Sequence, residues 1–174
     1  MNGDIVIRCA EEADFPPLCA LYCKSLRCNP GGFIQDLNYH GCLIAKTRAW
    51  REAGGDMLVA YQADRLVALG GLAPETDTRV ELCKLHVDEA AQGRGLGRLM
   101  TEKLLGLASE RGFSEVVLHV TTTQQPAIRL YHSIGFTPVR QAVFETTIAD
   151  QHVAFDTLYM RMPIATGALS ALAS

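Results

Sequence analysis

Three glycines at alternate positions mark the stretch of this chain with the clearest chemical potential. Gly93, Gly95 and Gly97 follow an apolar run that ends at Val87, and they lead into an amphipathic helix that begins near Leu96. Glycine has no Cβ atom, so backbone N–H groups at these positions can approach a ligand closely. The first helical turn adds unpaired N–H donors and the positive end of the helix dipole. The stretch therefore predicts a site for a phosphate or pyrophosphate.

Two well-known phosphate motifs fit this stretch only in part. A Walker-type loop requires a Lys-Ser/Thr pair, which the chain lacks here. The dinucleotide motif G-x-G-x-x-G, counted from Gly93, reaches Arg98 where its last glycine belongs, and residues 88–92 separate the turn from its strand. From these residues alone, a surface turn that merely caps a helix stays open.

The elements that must position this turn form one continuous α/β pattern. Strands are predicted at residues 5–8, 57–61, 66–72, 79–87, 115–120, 139–147 and 154–162. Helices are predicted at 14–26, from 96 to a stop at Gly112, at 126–133, and over an undefined part of 33–55. Asp14 is the expected N-cap of the first helix.

The helix after the glycine turn is expected to pack one face on the sheet. The apolar spacing places six residues on that face: Leu96, Leu99, Met100, Leu104, Leu107 and Ala108.

Composition limits the classes of function. With 174 residues and 48% hydrophobic content, the chain suits one domain over residues 1–165, with a short tail at 166–174. A net charge of −3 gives a nucleic-acid partner no electrostatic support. We find no membrane span and no signal-peptide pattern, so we expect a cytoplasmic protein. The six cysteines form no CxxC pair. We therefore expect reduced thiols and no metal site, since the spacing of Cys19, Cys23, Cys28 and His40 fits no zinc pattern.

Two motifs together resemble one protein family. Residues 92–97, QGRGLG, match the Q/R-x-x-G-x-G/A motif of the GNAT superfamily of N-acetyltransferases. Residues 127–136, AIRLYHSIGF, resemble its A-x-x-L-Y-x-x-x-G-F segment. The resemblance covers residues 4–162. It implies an α/β fold with a central mixed, mostly antiparallel twisted sheet of about seven strands, flanked by helices on both faces and splayed between the fourth and fifth strands.

The resemblance also implies a binding site for acetyl-CoA as co-substrate. The turn would hold the pyrophosphate on its N–H groups, and the main chain of a bulged strand would meet the pantetheine arm. Gln124 stands where the family often has asparagine, which puts that contact in doubt. The implied binding residues are Leu85, Val87, Gln92, Gly93, Arg94, Gly95, Leu96, Gly97, Arg98, Gln124, Ala127 and Tyr131.

The family's usual general acid corresponds to Tyr131, and the Leu85 N–H would polarise the thioester carbonyl. Glu81 matches a strand position where some members place a catalytic glutamate. Glu81 interrupts an apolar strand, so its charge needs compensation there. A salt bridge with Lys84 or Arg79, or a purely substrate-binding role, is the alternative to catalysis. His119 is the rival base and His86 a weaker one, although a buried histidine without a catalytic role is the commoner case. Ordered water is a further alternative.

The resemblance implies direct acetyl transfer to a primary amine: a small amine, an amino acid or a peptide amine. Cys83 is not expected to act as a nucleophile. A transferase for longer acyl groups and a non-catalytic CoA-binding sensor remain alternatives, and a homodimer is left open. Acids in the segments that choose the acceptor favour a cationic amine slightly. They are Asp36, Glu75, Asp77, Glu145, Asp150 and Asp156.

Overall fold

The computed structural model describes residues 4–167, which form seven strands and five α-helices. The strands are β1 Ile5–Cys9, β2 Asp56–Gln62, β3 Arg65–Pro74, β4 Arg79–Val87, β5 Glu115–Thr121, β6 Thr137–Ile148 and β7 Gln151–Pro163. The helices are α1 Phe15–Arg27, α2 Leu37–His40, α3 Leu43–Glu52, α4 Leu96–Glu110 and α5 Gln125–Ile134. Of the predicted tail, residues 168–174 lie outside the described residues. No helix in the described part is long and apolar enough to cross a membrane.

All seven strands join one sheet, in the order β1-β2-β3-β4-β5-β7-β6. Every pairing is antiparallel except that of β4 with β5, which is parallel and short: residues 79–81 pair with 115–117. Beyond this point β4 and β5 have no paired residues, although both strands continue. The predicted mixed, mostly antiparallel sheet with a splay between its fourth and fifth strands is therefore confirmed.

Helices cover both faces of the sheet, as predicted. On β2, Leu58 and Ala60 belong to the apolar cluster that contains the buried residues of α4. Met57 and Val59 belong to the cluster that contains those of α1. Successive strand residues point to opposite faces, so burial of both sets requires a layer on each side.

A bulge interrupts β4 where it leaves β5. On the opposing strand β3, Leu69 pairs with His86 and Gly71 pairs with Cys83, so that two residues, Lys84 and Leu85, face one. Lys84 has φ +55°, a left-handed value that non-glycine residues seldom adopt. The expected bulge is thus present.

One local prediction was correct only in part, and another was wrong. Asp14 stands at the N-cap position of α1, but its side chain accepts no hydrogen bond from that helix. Its carboxylate instead accepts from Arg8 at 2.9 Å and from the Tyr61 hydroxyl at 2.8 Å. These partners lie on neighbouring strands, which helix-capping rules do not consider. Leu99, predicted to be buried on α4, is 37% exposed. Thr101 and Leu105 are buried on that helix instead.

Candidate active site

Ten of the twelve predicted binding residues line one groove of about 580 Å³ beside the glycine turn. We call it the turn groove. Its walls are the second half of β4, the start of α4, part of α5, and α1 with the segment that follows it. The two predicted residues that do not line it are Arg94 and Arg98. The structure therefore brings these residues together, while their role in binding remains a prediction.

The backbone of the glycine turn is shaped to leave N–H groups available. Gly93 and Gly95 have φ values of +75° and +78°, which favour glycine. At Gly97 a Cβ atom would lie 3.5 Å from Leu130 on α5, an ordinary contact, so the packing there does not require glycine. The Leu99 N–H donates to the Gly95 carbonyl at 3.0 Å. The amides that precede Leu99 in the first turn of α4 have no acceptor within the helix, as at any helix start.

Two polar side chains beside the turn groove are engaged with other parts of the protein. Gln92 donates to the Val87 carbonyl at 3.0 Å, which ties the turn back to β4. Arg98 contacts the Ser133 hydroxyl at 2.5 Å and Glu102 at 3.5 Å. The positive side chain that does line the groove is Lys24 on α1, which the sequence analysis did not select.

A second space of about 590 Å³ lies on the other side of the splay, and we call it the Glu81 cavity. It shares five lining residues with the turn groove, which are Phe33, Leu85, His86, Gln124 and Tyr131. The two spaces therefore meet where β4 separates from β5.

Glu81 and His119, the two candidate bases, are bonded to each other. Oε1 of Glu81 lies 2.8 Å from Nδ1 of His119. This hydrogen bond raises the pKa of His119. Glu81 therefore does not form the salt bridge with Arg79 or Lys84 that was considered from the sequence. The side chain of His119 is 57% exposed and lines the cavity, so the expectation of a buried histidine was wrong.

Tyr131 lies where the two spaces meet. It is 8% exposed, and its ring packs edge-on against Phe136 with 5.7 Å between centroids. Burial raises the pKa of Tyr131 to about 12. The phenol is therefore protonated at neutral pH and can act as a hydrogen-bond donor.

His86 and Cys83 are poorly suited to the roles considered for them. Burial lowers the pKa of His86 to about 3, so its ring is neutral between Tyr22 and Phe33. Burial raises the pKa of the Cys83 thiol to about 12, so it holds its proton and is a weak nucleophile. Within residues 4–167, no group of three or more His, Cys, Asp or Glu is arranged to hold a metal ion.

A segment between α1 and α2 crosses over the junction of the two spaces. Thr121 and Thr123 donate to the carbonyls of Gly32 and Gly31, each at 3.0 Å. The Gln124 amide donates to the Gly32 carbonyl at 3.4 Å. Gln124 thus anchors this segment and also faces the groove, a role that its position in the motif does not reveal.

Sequence reasoning also missed two lysines in the Glu81 cavity. Lys46 comes from α3 and Lys84 from the β4 bulge. The only available signal was the polar break at Lys84 in an apolar strand. The six acids that favoured a cationic acceptor line neither space.

Comparison with known proteins gives results that agree with this geometry. The acetyltransferase (GNAT) family model matches residues 19–136. The chain is similar to N-acetyltransferase 8B of Homo sapiens, with 33% identity over 98 residues, which cover 53% of this chain and 43% of that protein. It is also similar to mycothiol acetyltransferase of Thermomonospora curvata, with 38% identity over 90 residues, 51% of this chain and 29% of that protein. The matches thus span less than half the length of either relative.

A solved structure shares the whole architecture. It is that of a putative acetyltransferase from Salmonella typhimurium with its cofactor acetyl-CoA. The TM-score is 0.77 at 22% identity, covering 98% of this chain and 100% of that chain. At this identity the likeness establishes the fold alone.

Proposed function

The chain belongs to the acetyltransferase (GNAT) family, and from that premise we propose that it transfers an acetyl group from acetyl-CoA directly to a primary amine. The acceptor class is a small amine, an amino acid or a peptide amine. One observation carries the proposal: the turn groove and the Glu81 cavity meet at Tyr131, so a donor and an acceptor can approach from opposite sides.

The turn groove fits the donor. The N–H groups of residues 93–98 would hold the pyrophosphate, and a cluster of such donors at a helix start favours an anion. The main chain of Leu85 and Val87 would pair with the pantetheine arm along the free edge of β4. Ala127 and Gln124 form the opposite wall. Acetyl-CoA supplies the activated acyl group as a co-substrate.

Three groups of the chain serve the reaction. The Glu81–His119 pair removes the proton that the amine must lose, either directly or through ordered water. The Leu85 N–H donates to the thioester oxygen as negative charge develops there. Tyr131 donates to the sulfur as the C–S bond breaks and the C–N bond forms. The products are the amide and CoA with a free thiol.

A covalent enzyme intermediate has no support at this site. Cys83 is the cysteine that lines the Glu81 cavity, and its raised pKa leaves it protonated. A thiol rather than a thiolate attacks a thioester slowly. Direct attack by the amine is therefore the proposed route.

The test is a screen of primary amines with acetyl-CoA, in which free thiol is followed with a colour reagent and products are identified by mass. We expect thiol release that depends on an amine, with a product heavier by one acetyl group. Longer acyl-CoA donors, tested with the same amine, examine the alternative donor. CoA binding without transfer to any amine would instead indicate a sensor.

A further inference from the structure

Two lysines converge on the Glu81 cavity from separate elements. Lys46 extends from α3, and Lys84 from the bulge of β4. Both side chains are partly buried. The Lys84 ammonium donates to the Tyr22 hydroxyl at 2.8 Å and lies 5.1 Å from the centroid of that ring. Lys84 is therefore fixed in position at the cavity wall.

Neither lysine has a negative partner in the described part of the chain. No carboxylate there lies within 4.0 Å of either ammonium. Glu81 is the one acid among the described lining residues, and it is bonded to His119. A cation that is partly removed from water without a counter-charge is unfavourable. The cavity thus has a surplus of positive charge.

His40 and His86 also line the cavity, and they do not change this surplus. Burial lowers the pKa values of His40 and His86, and both are neutral at pH 7. Burial also lowers the pKa of Lys84, and the charge of Lys46 adds to that effect. Both lysines line the same cavity, and an anion bound there would stabilise their charged forms.

Resting on the proposed acetyl transfer, we propose that the acceptor amine also carries an anionic group, a carboxylate or a phosphate, which lies between Lys46 and Lys84 while the amine faces Glu81 and His119. The remaining walls are rich in aromatic rings, which suit an apolar side chain beside the two charged groups. They are Tyr39, Trp50, Phe144, Phe155 and Tyr159. An apolar α-amino acid has all three parts. A polyamine does not, because its second ammonium would meet the lysines.

The test compares amines that differ only in the anionic group. L-phenylalanine is paired with phenethylamine, L-tyrosine with tyramine, and phosphoethanolamine with ethanolamine. We expect the anionic member of a pair to have the higher kcat/KM by at least about tenfold, as for one charge-assisted hydrogen bond. The first two pairs report a carboxylate and the third a phosphate. If the amine that lacks the anionic group has an equal or higher kcat/KM in every pair, the proposal is overturned.

Lysine variants should raise the KM of the anionic acceptor selectively, which a purely structural role of the lysines would not produce. Lys46→Met and Lys84→Met should raise the KM of the anionic acceptor, and should leave unchanged or lower that of its partner amine. Lys103→Met is the matched control, since Lys103 is exposed on α4 and lines neither space. If both lysine variants leave the ratio of KM values for the paired acceptors at the wild-type value, the proposal is overturned. Lys46→Met, away from the bulge, remains informative if Lys84→Met fails to fold.

A binding measurement separates this proposal from the proposed function. Calorimetry with L-phenylalanine, phosphoethanolamine and phenethylamine is performed on the protein saturated with CoA. Binding of an anionic probe that both lysine variants weaken supports the anion site even where no thiol is released, and in that case the transfer function alone fails. If neither anionic probe binds better than phenethylamine, the anion site is refuted whatever the turnover.

Discussion

Replacing Tyr131 by phenylalanine should slow acetyl transfer while leaving the protein folded and able to bind acetyl-CoA. The change removes one hydroxyl and keeps the ring that packs on Phe136. A hydrogen bond to a charged group contributes roughly 1.5–3 kcal/mol. If that bond forms only as negative charge develops on sulfur, kcat should fall by about 10- to 150-fold.

Two measurements distinguish the loss of the Tyr131 hydrogen bond in the transition state from other causes of a slower reaction. A loss of ground-state binding would raise the KM for acetyl-CoA and leave kcat unchanged. Burial raises the pKa of Tyr131 to about 12, so the wild-type rate should show no alkaline fall near neutral pH from loss of this proton. The free-thiol assay gives kcat and KM, and titration with CoA gives the binding constant.

The matched control is Tyr61→Phe, which removes a phenol hydroxyl far from the site. That hydroxyl donates to Asp14 at 2.8 Å and lines neither space. We expect it to cost about 1 kcal/mol of stability and to leave kcat unchanged. A Tyr131→Phe enzyme with wild-type kcat would refute the acid assignment, and an equal loss in both variants would point to a stability effect.

Three further predictions concern other parts of the molecule. Gly95→Asp should abolish CoA binding as measured by calorimetry. Gly95→Asn has the same backbone strain at φ +78° but no charge, so it should retain part of the binding. Equal affinities of the two variants for CoA would contradict an anion at the turn. Glu81→Gln removes the hydrogen-bonded charge that raises the pKa of His119. The acid limb of the pH profile of kcat/KM should therefore move to lower pH. If that limb does not move, the Glu81–His119 pair is not the base. Arg8 holds the pKa of Asp14 below its usual range, so this carboxylate stabilises the fold above the unfolded-state pKa near 4 and loses that contribution as pH falls. Asp14→Asn should cost about 2 kcal/mol at pH 7 in urea unfolding and less at acid pH, and a cost that is independent of pH would refute this linkage.

Local signals were sufficient to predict ten of the residues that line the turn groove. The glycine turn and the Tyr131 segment are contiguous in sequence, and each combines a turn signal with helical apolar spacing. The limits of β4 were predicted to the residue because apolar residues recur through residues 79–87 and Asp88 follows. Features that depend on a few neighbouring residues were thus accessible without a structure.

The acceptor side depends on pairings between distant segments. Glu81 pairs with Val117 across the parallel strands, and His119 lies two residues further, on the same face of β5. That register brings the two rival bases together, and no local pattern specifies it. Lys46 was missed because the helix ends between residues 33 and 55 were not placed. Its approach to Lys84 therefore needed the packed structure.

The β4 bulge links the two sides of the site. By inserting one extra residue opposite Gly70, it interrupts the regular pairing of β4 with β3 and places Lys84 and Leu85 in succession at the splay. Lys84 then faces the Glu81 cavity, while Leu85 lines both spaces and carries the N–H proposed to meet the thioester oxygen. A left-handed residue such as Lys84 costs conformational free energy, on the order of 1 kcal/mol. One backbone irregularity therefore places the proposed anion site for the acceptor and the proposed oxygen site for the donor at adjacent residues. A change in the bulge should then alter acceptor choice and transfer rate together.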